Sequence, residues 1–423
     1  MRNDLKDKSV LVYDYFNYVE VAIRLSRDFG TVYYYCPYVL DSYPDHIPED
    51  IARNVPGIIK VKEWASVVME VDMVYFTYSH EPYLQDFIRN VLVKPVFGSV
   101  FANRLEHDRS FIKETLKQLG LPVGLYSEAK GLDQLEEILK NSNGKRYVKS
   151  SLRGDMETWE HKDWRLSQRE IKRLRHDMGL FEDEETYIIE HPIDGIGEIG
   201  YDGFFVNGKY TDISLCGIEI KNCCYIGRFI YYKMLPQQIT SVNDALSPLF
   251  NDMGYRGHYS NEIIISKDKR GFLIDNTCRC PQPPTSLMLE AYKGYSENVW
   301  DIAHGRMPYI EYDFEWGCQL MIKSIISEDM PSPILVPDEY KQFVKISNLS
   351  IDKEGTWWYI PSETKNNDIG SVIGLGHTMD EAIKKAKEVA ESIQGFDTTI
   401  KIDSIDKAKK SLDKLNKAGI PFI

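Results

Sequence analysis

Tyr255 to Arg279 reads YRGHYSNEIIISKDKRGFLIDNTCR. Two apolar, β-rich runs, Glu262-Ile263-Ile264-Ile265 and Phe272-Leu273-Ile274, flank the polar, glycine-ending Ser266-Lys267-Asp268-Lys269-Arg270-Gly271. That pattern predicts an antiparallel hairpin. Glu262 and Asp275 stand thirteen residues apart, so a turn midway between them sets the two carboxylates side by side at the outer strand ends. Adjacent acids repel unless a cation lies between them. A small set of hard oxygen ligands, with room left for phosphate oxygens, suits Mg²⁺ (or Mn²⁺) held against a nucleotide. The plain alternative is two solvated strand ends.

The rest of the composition is that of a folded, water-soluble chain. At 423 residues, with 43% hydrophobic and 12% aromatic residues, it is long enough for two to four domains with ordinary cores. A net charge of −13 argues against broad binding to a phosphate backbone. The seven cysteines contain no C-x-x-C and no His at zinc spacing, which disfavours a structural zinc site or a disulfide framework. The N-terminus enters a strand at once, and no run reaches the ~18 apolar residues of a membrane span. A cytoplasmic protein is expected.

In chain order, Ser9 to Tyr13 reads as a buried strand, Val19 to Phe29 as a helix, and Thr31 to Cys36 and Val71 to Tyr78 as further strands, with a helix over Tyr83 to Asn90. This alternation predicts an open parallel sheet. The turn Asp14-Tyr15-Phe16-Asn17-Tyr18 contains no glycine, so the usual dinucleotide fingerprint is missing. Asp14 and Asn17 read as turn caps, or as contacts to a polar substrate. Asn103 followed by Glu106 predicts a helix N-cap. Leu132 to Leu139 follows as a helix. Arg146 to Ser151 is then a strand whose Lys149 precedes the loop Leu152-Arg153-Gly154-Asp155, a placement for a point charge against phosphate or for a solvated edge. Thr186 to Glu190 leaves its sheet through His191-Pro192-Ile193-Asp194, and an Asn207-Gly208 hairpin joins Ile199–Val206 to Tyr210–Leu215.

This succession, from the Rossmann-like start through PVFG, LEHDRSF, YVKSS and YIIEHPIDG to GFLIDNTCR, resembles the ATP-grasp superfamily over most of the chain. The nearest likeness is to the phosphoribosylamine-glycine ligases. The resemblance implies an α/β and α+β multidomain fold: a Rossmann-like pre-ATP-grasp domain over 1–102, an ATP-grasp domain over 103–330 with a lid about 122–190, and a small C-terminal α+β domain over 331–423. It also implies that Arg109, where the family has lysine, and Lys149 contact ATP phosphates. Glu190 and Ile193 belong to the hinge that holds adenine through its backbone, and Glu198 takes the ribose hydroxyls. Pro192 has no N–H to donate, which leaves Ile193 as the donor. Glu262, Asp275 and Thr277 are implied as metal ligands, Thr277 standing for an amide in the family's Glu-x-Asn-x-Arg pattern. Lys221 and Arg279 are implied as catalytic cations.

Three departures separate this chain from that family. The glycine-rich phosphoribosyl loop is replaced by Asp14 to Tyr18, Glu198 lies two residues beyond its usual offset, and Asn222-Cys223-Cys224-Tyr225 stands where Asn-Thr-Gly-Gly is expected. The resemblance therefore implies an ATP-dependent, ADP-forming carboxylate-amine ligase that acts through an acyl phosphate, with an acceptor other than phosphoribosylamine. A non-catalytic nucleotide-binding regulator or scaffold on a degenerate ligase fold is the alternative. The expected partners are ATP, Mg²⁺, a small carboxylate and an amine; a homodimer is left open. The tail shows a Thr378-Met379-Asp380-Glu381 capping box ahead of a helix with Ala382, Ala386, Val389 and Ala390 on one side, and a second helix over Ile405 to Ala418. Arg165, Arg169 and Arg173 fall on one helical face, which is either solvated or a lid surface for an anionic acceptor.

Overall fold

The computed structural model describes residues 4–37, 50–150, 158–361 and 367–420. Ser151 and the loop Leu152-Arg153-Gly154-Asp155 lie outside the described residues. The chain begins with five parallel strands, placed side by side in the order Ile59–Lys60, Thr31–Tyr35, Ser9–Tyr13, Met73–Phe76, Val96–Phe97. Val10, Leu11, Val12, Met73, Val74 and Tyr75 are all buried, as continuous apolar strands covered on both faces must be. The helix expected to reach Phe29 stops at Ser26, and the one expected to reach Asn90 runs over Pro82–Asp86 before widening into a π-turn at Phe87–Val91.

One local expectation is overturned. The Asn103 side chain caps nothing; the cap is Asp108, whose Oδ1 accepts from the Phe111 N–H at 2.9 Å and starts the helix Arg109–Gln118. Glu106, released from that role, turns inward to a charge partner described below.

A separate four-stranded antiparallel sheet follows, in the order Tyr126–Lys130, Thr186–Glu190, Arg146–Ser150, Trp159–His161. The helices Gly131–Asn141 and Trp164–Met178 pack Leu132, Leu135, Ile171 and Leu174 on it, and this core is distinct from the main one. On the second helix Arg165, Arg169 and Arg173 are exposed, and Arg173 is already engaged by Glu170 and Asp177. The solvated reading of that face is the one the geometry favours.

Most of the remaining strands form the large sheet, in the order Gly271–Thr277, Arg256–Ser266, Gly195–Val206, Ile213–Ile220, Cys224–Tyr231, Trp316–Lys323, Asp368–Gly376, Val344–Ile346, while Leu349–Ile351, Trp357–Tyr359, Ser332–Leu335 and Gln394–Gly395 make a separate four-stranded sheet and Tyr292–Lys293 pairs with Glu311–Tyr312. Asn207 and Gly208 have φ of 48° and 77°, the left-handed pair that a two-residue hairpin of this twist requires. The strand expected over Tyr210–Leu215 is split: Lys209–Tyr210 closes the hairpin, and Ile213–Ile220 pairs with Gly195–Val206 further along. The Thr378–Glu381 capping box is present in both directions. The helix Ser404–Lys417 lays Ile405, Ala408, Leu412 and Leu415 against this sheet, Leu415 over Gly197.

A buried charge network ties the first sheet to the tail. Glu290, its side chain 3% exposed, accepts from Arg27 at 2.7 Å, from Lys345 at 2.5 Å and from Gln342 at 3.0 Å. Burial raises the Glu290 carboxyl, but Lys345 and Arg27 outweigh it and hold it down at about 2. A depressed carboxyl contributes stability that is complete above its unfolded value near 4.5 and is lost as pH falls through about 2. Glu290→Gln is expected to cost about 3–5 kcal/mol by leaving Lys345 buried without its anion. The check is a lower urea midpoint for the variant at pH 7, with the gap closing in acid.

Candidate active site

The site is built on the hairpin and read outward from it. Arg256–Ser266 pairs with Gly271–Thr277 so that Glu262 lies opposite Asp275 and Ser260 opposite Thr277. The register slips between Glu262 and Ile263, which leaves Ile274 as an extra residue outside the ladder. Its freed carbonyl accepts from Lys149 Nζ at 2.7 Å, so the bulge draws the lysine of the strand Arg146–Ser150 to the hairpin. Lys149 also lies 3.1 Å from Glu190, which a second lysine, Lys113, pairs from the other side. Burial alone would raise Glu190, but the two lysines hold it below the ordinary carboxylate range.

Arg109 Nη1 donates to Asp275 Oδ1 at 2.8 Å. Burial would raise Asp275, yet Arg109, Lys221 and Lys149 outweigh it and keep it well below the usual range, ionised at any working pH. A single cleft between the four-stranded sheet, the helix Arg109–Gln118 and the hairpin is thus lined by Arg109, Lys113, Lys149, Glu190, Ile274 and Asp275. Lys113 was missed from the sequence, although it stands at i+4 from Arg109 and so faces the same way on one helix.

His191 to Asp194 joins the strand Thr186–Glu190 to the long strand Gly195–Val206. The Ile193 side chain packs over Gly124, where a Cβ would meet Ile193 Cδ1 at 3.3 Å, so an alanine there would crowd the hinge. The Glu190 side chain serves the two lysines.

On the other side of the Glu262–Asp275 pair lies a second, acidic cavity lined by Glu198, Glu219, Glu262, Asp202, Tyr225 and Ser260. Burial, then Glu262, pushes Glu198 up to about 7, and burial raises Glu219 well above its ordinary value. The structure therefore places Glu198 with Glu219 and Glu262, not with Glu190. Lys221, exposed at the rim and 3.7 Å from Glu262, is held protonated by Glu219, Glu262, Asp275 and Glu198 against the burial that would lower it. The back wall has a plain steric origin. Gly200, Gly217 and Gly227 are neighbours across three strands, and a Cβ on Gly217 would fall 2.2 Å from the Tyr225 ring. Gly217 and Gly227, where a Cβ would meet the Tyr225 ring, let Tyr225 lie across the sheet and donate to Asp202 Oδ2 at 2.7 Å.

Arg279 is anchored from beneath. Its Nε donates to Glu106 Oε1 at 2.8 Å and its Nη1 to the Cys280 carbonyl at 3.2 Å, and its guanidinium lies 5.2 Å from the Tyr78 ring centre. Glu106, 6% exposed, also accepts from the Cys278 N–H at 2.8 Å and the Ser79 hydroxyl at 3.1 Å. Burial would raise it; Arg279 first, then His107, hold it down and ionised. Nothing in the sequence marked Glu106 as the partner of Arg279, because 173 residues separate the two.

The residues present fit Mg²⁺ and a nucleoside triphosphate. Glu262 and Asp275 face each other with Thr277 and Ser260 one step along, an all-oxygen set. Among the described residues, no three His, Cys, Asp or Glu side chains gather as a self-sufficient metal site. Two carboxylates completed by hydroxyl, water and phosphate oxygens suit Mg²⁺ better than a closed protein cage does. Among the described residues, no helix is long and apolar enough to cross a membrane.

No protein-family model matches the sequence, and no curated protein matches it. Solved structures do match over nearly the whole chain. The phosphoribosylamine-glycine ligase of Thermotoga maritima superposes with a TM-score of 0.69 at 15% identity, over 93% of this chain and 99% of its own. The biotin carboxylase domain of the Hydrogenobacter thermophilus 2-oxoglutarate carboxylase, a structure containing MgADP and bicarbonate, gives 0.66 at 14% identity over 97% and 98%. An L-amino acid ligase from Bacillus licheniformis gives 0.59 at 13% identity over 94% and 99%. All three are ATP-grasp proteins.

Proposed function

We propose, from the ATP-grasp fold of this chain, that it is an ATP-dependent, ADP-forming ligase that joins a carboxylate to an amine. The observation that carries the reading is the convergence of Arg109, Lys113, Lys149 and Lys221 on the hairpin that presents Glu262 and Asp275. Arg109, Lys113 and Lys149 are each held by a carboxylate that a phosphate oxygen can replace, so the same cations can take up an anion of several charges.

The chemistry asked of the chain is electrostatic. Mg²⁺ bound by Glu262, Asp275 and Thr277 would neutralise phosphate oxygens. Lys149, Lys113 and Arg109 exchange their carboxylate partners for the phosphate chain, and the Ile193 backbone offers its N–H to the adenine edge. Arg279, clamped by Glu106, is aimed at the carboxylate that receives the γ-phosphoryl group. The resulting acyl phosphate is opened by the amine, with phosphate leaving. Lys221 at the rim offsets the charge developing there.

The test is calorimetric titration of ATP with and without Mg²⁺, followed by product analysis with pooled amino acids and other carboxylates. ADP and phosphate are expected. Saturable Mg²⁺-ATP binding with no turnover across the pools would favour the regulatory or scaffold role, and AMP with pyrophosphate would contradict the mechanism.

A further inference from the structure

The parallel sheet reverses its strand order between Ser9–Tyr13 and Met73–Phe76, and the crevice outside the carboxyl ends at such a switch point is where open α/β sheets take ligands. Two loops flank it here, Asp14 to Tyr18 and Thr77 to His80.

The first loop is closed to phosphate by its own hydrogen bonding, and not merely by bulk. The N–H groups of Tyr15 and Tyr18 donate to Asp14 at 2.8 and 3.0 Å, and that of Asn17 to Asn348 Oδ1 at 2.9 Å. The Asp14 and Val19 N–H groups go to the carbonyls of Tyr35 and Ser347. Five of the six backbone N–H groups from Asp14 to Val19 are therefore committed. An anion here would meet the Asp14 carboxyl behind them in place of a nest of N–H groups.

The second loop builds a flat wall. The Tyr78 and His80 rings stack at 5.6 Å and 9°, His80 and His107 at 5.3 Å and 27°, and Tyr15 leans on His80 at 4.8 Å. Arg279 caps this column on the Tyr78 face, with 27% of its side chain exposed and Nη2 making no hydrogen bond among the described residues. A cation able to receive a carboxylate thus stands at one end of a stack of aromatic faces.

From this juxtaposition we infer that the switch-point crevice is the site of the carboxylate substrate, and that it takes a carboxylic acid bearing a flat, unphosphorylated π-system, such as an aromatic amino acid. Arg279 receives the carboxylate and the Tyr78–His80–His107 column receives the planar group. The role of Arg279 in phosphoryl transfer rests on the ligase reading; binding of the acid does not.

The test is equilibrium dialysis of four probes, L-phenylalanine, L-leucine, L-tyrosine and O-phospho-L-tyrosine, with and without Mg²⁺-ADP. Phenylalanine is expected to bind about tenfold more tightly than leucine, and tyrosine about tenfold more tightly than its phosphorylated form. His80→Ala should remove the first preference while Mg²⁺-ATP affinity is unchanged. Leucine binding equal to phenylalanine, phosphotyrosine binding equal to tyrosine, or no aromatic acid binding under either condition overturns the inference. Aromatic binding without ADP release upholds the site and counts against the ligase reading alone.

Discussion

Glu262→Gln and Asp275→Asn are each expected to lower turnover by a factor on the order of 10² or more at a fixed Mg²⁺ concentration. The two carboxylates face each other across the hairpin, and Glu190, the other acid of the cleft that Asp275 lines, is already engaged by Lys113 and Lys149. Exchanging a carboxylate for an amide removes charge from the metal while keeping shape, so the fold persists. In Asp275→Asn the Arg109 contact weakens from an ion pair to a neutral hydrogen bond, a loss of about 1 kcal/mol. The measurement is rate against Mg²⁺ concentration: both variants should need far more metal to reach a lower plateau. An unchanged Mg²⁺ dependence in both would sink the metal assignment.

Arg279→Ala carries the second large effect, because it removes the one guanidinium aimed from the hairpin's end toward the acceptor. Loss of a preorganised cation at developing phosphoryl charge costs about 10²–10³ in turnover. It also strands Glu106, which is buried and ionised, at a cost of about 3–5 kcal/mol in stability. Two further variants separate these consequences. Arg279→Lys keeps the charge and the fold but cannot reproduce the planar fork that meets Glu106 through Nε, so turnover should stay low. Glu106→Gln leaves Arg279 in place but unclamped, and should reduce kcat with little change in Mg²⁺-ATP affinity. Wild-type turnover in Arg279→Lys would show that Arg279 acts as a bare charge or not at all.

What could be read from the sequence was whatever depends on short spacings. The hairpin register that pairs Glu262 with Asp275 follows from two apolar runs and the polar turn between them. The Thr378 capping box and the Asn207-Gly208 turn follow from chemistry contained within four residues. The parallel sheet was legible because its strands are buried on both faces and read as unbroken apolar runs. What was hidden depends on tertiary approach. Asn103 and Glu106 have the spacing of an N-cap, but the pull of Arg279 on Glu106 outweighs a local bond worth about 1 kcal/mol. The bulge at Ile274, which aims Lys149, has no signature in GFLIDNT. The glycine pair under Tyr225, Gly217 and Gly227, becomes visible only when the two strands are set side by side.

The central claim is that a carboxylate is phosphorylated at this site, and hydroxylamine tests it most directly. An acyl phosphate is captured by hydroxylamine as a stable hydroxamate, so protein, Mg²⁺-ATP, hydroxylamine and pooled carboxylates should yield one hydroxamate with an equal amount of ADP. Lys149→Ala, which deletes the cation held between Glu190 and the Ile274 carbonyl, should lower that signal by about 10²-fold. ADP formation without any hydroxamate, or hydroxamate undiminished in Lys149→Ala, would contradict the account.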